Sequence, residues 1–254
     1  MNKRTKRKRL RQGYVLYKGP SMLVPGKMIV VIITGLRTPS KNSKTGPMPQ
    51  VFILLVDIHP WEAIVNRLDG AICGSCVHRM LADGTRSCYV NVMSQGVAAV
   101  WEAFTRGKYP MADDLALLGS NLRIRVGAYG DPAAVPATVW EQLLSQADGW
   151  TGYTHGWRKR PDLKKFFQAS VDSEKEFFEA AALGWGTFRV RAEGAPLLAS
   201  ETPCPASEEE GYVATCMTCM KCNGQHHVSI LAHGSGQKHF NNRSHRSLPI
   251  LQGV

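Results

Sequence analysis

Apolar residues fill the first sixty positions in short, nearly unbroken blocks. GYVLYKGPSMLVPGKMIVVIITGL holds two such blocks separated by Gly and Pro, the pattern of a β-hairpin. TPSKNSKTGPMPQ is a polar loop, and QVFILLVDIHP reads as a third strand with a polar end. PWEAIVNRLDG then predicts a short helix with Pro in its first turn. Further on the period changes. MSQGVAAVWEAFTRGKYP predicts a helix that stops at Gly107 and Pro110.

From there strands and helices alternate. LRIRVGAYGDP is strand-like and AAVPATVWEQLLSQADG helical; WTGYTHGWR is a short strand and turn. FFQASVDS is a strand, SEKEFFEAAALGW a helix with Ser173 as its cap, and GTFRVRAEG a strand; HHVSILAHGSG supplies the last one. Such alternation predicts βαβ units around a parallel sheet. The expected fold is therefore α/β, an irregular or incomplete (β/α) barrel of the TIM-barrel type with a β-rich N-terminal part and one or two cysteine-bound metal centres. A basic arm at 1–12, expected to be disordered, precedes a single domain at 13–254. That domain divides into a β-rich part at 13–60, a cysteine group at 73–88, βα units at 115–200, a cysteine insert at 204–222, and a last strand and tail at 226–254.

The polar residues of the predicted parallel strands gather at or just past their C-terminal ends. They are Asp131, His155 with Arg158, Asp172, Arg191 with Glu193, and His233. In a parallel barrel those ends form one rim, where active sites sit. Any strand end turns polar on reaching solvent, which accounts for some of these positions. The repeated choice of Asp and His marks Asp131, His155, Asp172 and His233 as candidate catalytic residues.

Charge adds a partner to this picture. The chain of 254 residues carries a net charge of +11, and MNKRTKRKRLRQ alone supplies seven basic residues and no acid. Lys3, Arg4, Lys6, Arg7, Lys8, Arg9 and Arg11 form an arm suited to binding nucleic acid without reading its sequence. A solubilising tail is the plainer alternative. The longest apolar blocks, MIVVII and VFILLV, fall short of the roughly 18 residues of a membrane span. No membrane partner and no secretory signal are expected, which predicts a cytoplasmic location with reduced thiols. The cysteine count of seven is odd, so complete internal disulfide pairing is impossible.

The cysteines fall into two groups. Cys73, Cys76 and Cys88 form C-x2-C-x11-C; Cys204 precedes the run Cys216, Cys219 and Cys222, which is C-x2-C-x2-C. Bacterial ferredoxins use such a run, with a remote Cys followed by Pro, to hold an iron–sulfur cluster. Here Cys204 is followed by Pro205, although it comes before the run. Four thiolates satisfy one cube-shaped cluster, so iron–sulfur is preferred at this group, with zinc as the alternative. The first group has three thiols. His78 is a candidate fourth ligand for a Cys3His zinc site, although beside Arg79 it reads more readily as a surface histidine. Otherwise the fourth corner is open, and an open iron can bind substrate or S-adenosylmethionine. Radical enzymes built that way usually carry C-x3-C-x2-C, which is absent here. No Walker sequence and no G-x-S-x-G elbow occur.

GYVLYKGPS, ICGSC with CYVNV, VWEAFTRGKYP, GWTGYTHGWR, ASVDS, CPAS, and TCMTCMKCNG with ILAHG together resemble a family of small phage- and plasmid-encoded cysteine-rich proteins of unassigned function. The resemblance runs from Gly13 to Gly236 and leaves the basic arm outside. That family is loosely similar to phage proteins thought to hold iron–sulfur clusters in a radical-enzyme-like barrel. The expected function is a phage-type iron–sulfur enzyme acting on a nucleotide or nucleic acid, its first cysteine group reactive and its second structural or electron-transferring. The alternative is a non-enzymatic, metal-stapled nucleic-acid-binding protein of phage or plasmid replication or packaging. A third reading keeps the metals only as staples in an inactive barrel.

Overall fold

The computed structural model describes residues 11–80, 84–94, 96–234 and 236–245, the last three of these by backbone alone. Of the basic arm, Lys3, Arg4, Lys6, Arg7, Lys8 and Arg9 lie outside the described residues, and Arg11 is exposed. Gln12 is anchored, because its side chain accepts from the Thr38 N–H at 2.9 Å and donates to the Thr38 carbonyl at 3.2 Å.

The chain opens with β1 (Gly13–Pro20) and β2 (Met28–Thr34), joined as the expected hairpin. At its turn the Lys27 N–H donates to the Val24 carbonyl, with Pro25 second and Gly26 third at φ +75°, a type II arrangement. β3 (Gln50–Leu55) pairs antiparallel with β2. Ile29 to Ile33 have no exposure at all, which explains a continuous apolar run where a half-exposed strand would alternate. Burying such side chains is worth about 1.5–3 kcal/mol each.

Four helices follow: α1 (Pro60–Val65), α2 (Gly70–Cys73), α3 (Val97–Thr105) and α4 (Leu115–Gly119). Then come β4 (Arg123–Tyr129), α5 (Ala137–Leu144), β5 (Gly149–Thr151), β6 (Tyr153–Thr154), β7 (Gln168–Val171), α6 (Glu174–Ala182) and β8 (Thr187–Arg191). After β8 the strand–helix rhythm breaks. The cysteine insert contributes β9 (Thr202–Pro203) and α7 (Cys216–Cys219) before β10 (His227–Leu231) and α8 (Gln237–His245). The last of these lies in the expected tail. Its sequence is polar, but Phe240 is buried against Ala192 and Ala232.

The strands form two five-stranded sheets, ordered β1-β2-β3-β4-β5 and β6-β7-β8-β10-β9. The first is mixed, turning parallel at β3–β4; the second is parallel throughout. The fold is thus α/β, and among the described residues the sheets do not close into a barrel. Gly152 alone separates β5 from β6. A Cβ there would stand 2.7 Å from the Phe167 ring and 3.3 Å from Val126, so only glycine fits this joint without displacement.

Register fixes which side chains share a face. Arg125 pairs with Thr151, Tyr153 with Gln168, Ser170 with Phe188, and Val190 with Ile230. Because side chains alternate along a strand, each strand commits every second residue to that face. The opposite faces of the strands are covered by helices; α6 buries Phe177 and Ala180 and packs against β7 and β8.

Candidate active site

The shared face opens onto a cavity of about 430 Å³. Its floor carries Arg125 from β4, Tyr153 from β6, Ser170 from β7, Phe188 and Val190 from β8, and Ile230 from β10. Asp131, His155 and His233 stand at the C-terminal ends of β4, β6 and β10 and line the same space. Cys73, Cys76 and Cys88 contribute to its wall, and so do Cys204, Cys216 and Cys222. Two cysteine groups separated by more than a hundred residues therefore meet across one cavity. Cys219 is half-buried and does not line it.

The first group is pinned by a residue that the sequence did not single out. Asp69 is 2% exposed and receives Arg79 at 2.7 Å and Arg86 at 2.9 Å. Arg79 also donates to the Gly74 carbonyl at 3.0 Å, and the Cys88 N–H to the His78 carbonyl at 3.1 Å. Burial pushes the Cys73 thiol well up, and charge on Asp69, Cys76 and Cys88 adds to this; Arg86 opposes it. Cys88 is raised by burial against the pull of Arg86, with Cys76 also raising it.

The second group is held between the sheets. The Cys204 N–H donates to Ser229 of β10 at 2.7 Å, and the Cys222 carbonyl accepts from the Gly152 N–H at 2.8 Å. The Cys216 N–H donates to the Lys44 carbonyl at 2.9 Å, so the polar loop after β2 becomes part of this wall. Burial raises Cys204 to about 11, and Cys222 well above its ordinary value. Cys216 and Cys219 add to both shifts. Burial and mutual repulsion thus keep these thiols protonated unless a bound cation lowers their pKa.

The candidate polar residues have unequal surroundings. Asp131 accepts from the Ala133 N–H at 2.8 Å and from the Thr154 hydroxyl on one oxygen, and from the His155 N–H at 2.7 Å on the other. Both oxygens are engaged, so it braces β4 against β6 and positions His155. His155 Nε2 lies 3.8 Å from Cys76 Sγ and 3.5 Å from Asp172. Burial works against its positive charge, but Cys76 and Asp172 outweigh this and hold its pKa well above the usual value. Asp172 is set by the start of α6: Glu176 accepts from the Asp172 N–H at 2.7 Å, and Ser173 from the Glu176 N–H at 3.2 Å. Burial alone would raise the Asp172 pKa; His78 and His155 hold it well below the carboxylate range. His233 faces the cavity, its Nδ1 3.0 Å from the Leu231 carbonyl, and burial lowers its pKa.

His78 departs from the surface reading. It is 9% exposed, with Nδ1 2.9 Å from Ser87 and Nε2 2.8 Å from Asp172. The latter contact is close but misaligned, since neither atom has a well-formed hydrogen bond. With both imidazole nitrogens turned to these neighbours, His78 does not complete a Cys3His set. Ligand atoms of His78, His155 and Asp172 instead lie within 4.8 Å of one another, close enough to share an ion. No three cysteine sulfurs among the described residues come so close.

Arg158 turns away to Glu176 and Glu179 on the surface, and Arg191 pairs with Glu210, so neither strand-end arginine joins the cavity. Glu193 does not line it either. Comparison with known proteins adds nothing to this geometry: no family model, no curated protein and no solved structure matches the chain.

Proposed function

We propose that the chain is a phage-type iron–sulfur enzyme acting on a nucleotide or on a nucleotide unit of a nucleic acid. One observation carries this reading: six of the seven cysteines, drawn from both groups, and His155 line a single cavity at the C-terminal ends of parallel strands. Parallel strand ends are where α/β proteins place their chemistry, and the two sheets are read as one barrel wall left open.

The sequence spacing favours a cluster over a single ion, since C-x2-C-x2-C is the run that bacterial ferredoxins use for one. A cube-shaped cluster takes each thiolate at a different corner. Cys204, Cys216, Cys219 and Cys222 would hold one cluster. Cys73, Cys76 and Cys88 would hold another, leaving a corner for substrate or S-adenosylmethionine. When bound, such a cluster supplies one-electron chemistry. The chain's own part is to exclude water, to orient the substrate on the cavity floor, and to hold a proton at His155 Nε2 between Cys76 and Asp172.

No helix among the described residues is long and apolar enough to cross a membrane. The basic arm, with Lys3 through Arg11, would add affinity for nucleic acid at the host cell's interior. Purification without oxygen tests the reading. A brown protein with iron and sulfide supports it. A colourless protein with stoichiometric zinc overturns it in favour of the metal-stapled binding module.

A further inference from the structure

Arg125 stands in the middle of β4, 6% exposed, with its side chain on the cavity floor. A buried arginine normally has a counter-ion, because an unpaired charge out of water is costly. The chain obeys this elsewhere: buried Arg189 is matched by Glu201 and buried Arg191 by Glu210. Arg125 has no carboxylate partner among the described residues. Its Nη2 donates to the Tyr153 hydroxyl at 2.6 Å and the Tyr89 hydroxyl at 3.3 Å. The guanidinium carbon also lies 4.6 Å from the centre of the Tyr153 ring. These contacts fix the plane of the fork but bring no negative charge, and the nearby Cys216 and Cys222 supply one only as thiolates. Nε and Nη1 have no hydrogen-bond partner among the described residues.

Among the described residues, Lys44 and His155 on the same wall have acidic partners, Glu209 at 3.1 Å and Asp172 at 3.5 Å. The fork is thus a built cation, oriented by phenols and open to a space of nucleotide size. We propose that Arg125, oriented by Tyr153 and Tyr89, binds the phosphate group of the substrate. This rests on the cavity being a substrate site, as argued above, but not on which metal the cysteines hold. A free Nε–H or Nη1–H on a fixed positive charge gives a phosphate oxygen a charge-assisted hydrogen bond.

Inorganic phosphate is the probe, titrated calorimetrically into the full chain purified without oxygen, with acetate as the carboxylate comparison. The wild type should bind one equivalent of phosphate in preference to acetate. Arg125→Gln should weaken phosphate roughly ten- to hundredfold, the worth of a charge-assisted hydrogen bond. Tyr153→Phe keeps the ring stacked on Phe188 and removes only the hydroxyl, so it serves if the arginine variant fails to fold; it should weaken phosphate to a lesser degree. Equal binding by wild type and variants, preference for acetate, or no phosphate binding at all overturns the proposal. So does loss of metal from Arg125→Gln with phosphate affinity intact, which would make Arg125 the counter-ion of the neighbouring thiolates. A zinc-loaded protein that still binds phosphate through Arg125 removes the iron reading alone. A brown protein indifferent to phosphate removes the anion site alone.

Discussion

Cys76 Sγ lies 3.8 Å from Nε2 of His155, across an interval of 79 residues. The contact joins the first cysteine group to the strand end where the sheets meet. Hydrogen bonds to cysteine sulfur are a principal control on the potential of a bound cluster. His155→Gln should therefore keep the metal content and shift the reduction potential of the first centre to a more negative value, leaving the second unmoved. Redox titration followed by electron paramagnetic resonance reads both. An unchanged potential would mean that the two groups are neighbours without function.

Asp69 should matter more than its distance from the cavity suggests. Asp69→Ala leaves Arg79 and Arg86 without their carboxylate, and breaking a buried pair costs about 3–5 kcal/mol. Urea unfolding should show a loss of that order. The variant should also retain metal at the second group and lose it at the first, because the loop carrying Cys76 and Cys88 is tied down by these contacts.

Gly152→Ala tests the joint between the sheets. The added methyl meets Phe167 and Val126, and overpacking of this kind costs about 1–3 kcal/mol. The denaturation midpoint should fall accordingly. A neutral substitution would show that the joint yields more easily than its contacts imply.

The buried pair sets a pH dependence in the metal-free protein. Asp172 is depressed, so its contribution is complete above its unfolded pKa of about 3.9 and disappears as pH falls through the lower folded value. His155 is raised, so its contribution is complete below about 6.5 and disappears as pH rises through the higher folded value. The stability difference between wild type and Asp172→Asn should be greatest between those two limits and shrink on either side. Urea midpoints measured from pH 3 to 9 would show this; a difference independent of pH would contradict it.

Much of the scaffold is legible in the chain. Apolar blocks and turn residues mark β1 to β3, and the alternation of periods marks β4, α5, β7, α6 and β8, because local preference and tertiary packing agree there. The short elements are not legible. α2 and α7 are four residues each, and α8 is polar apart from the residues that bury it. Strand ends point to Asp131, His155 and His233, which line the cavity, and to Asp172, which does not line it but lies 3.5 Å from His155. Tyr89 is not legible because it lies in the irregular stretch after Cys88, nor are Arg125 and Tyr153, which lie within strands. Inward orientation there depends on register, which a single strand does not reveal. The inward alternation Arg125, Gly127, Tyr129 in RIRVGAY was the one available signal. His78 read as a surface residue because its partners Asp172 and His155 are distant in sequence.

The most direct test is iron and acid-labile sulfide per chain, measured in the wild type purified without oxygen and in two group variants. One carries Ser at Cys73, Cys76 and Cys88, and the other at Cys204, Cys216, Cys219 and Cys222. The account predicts two clusters in the wild type and one in each variant, all without zinc. Zinc in place of iron, or wild-type iron retained by either variant, would contradict it.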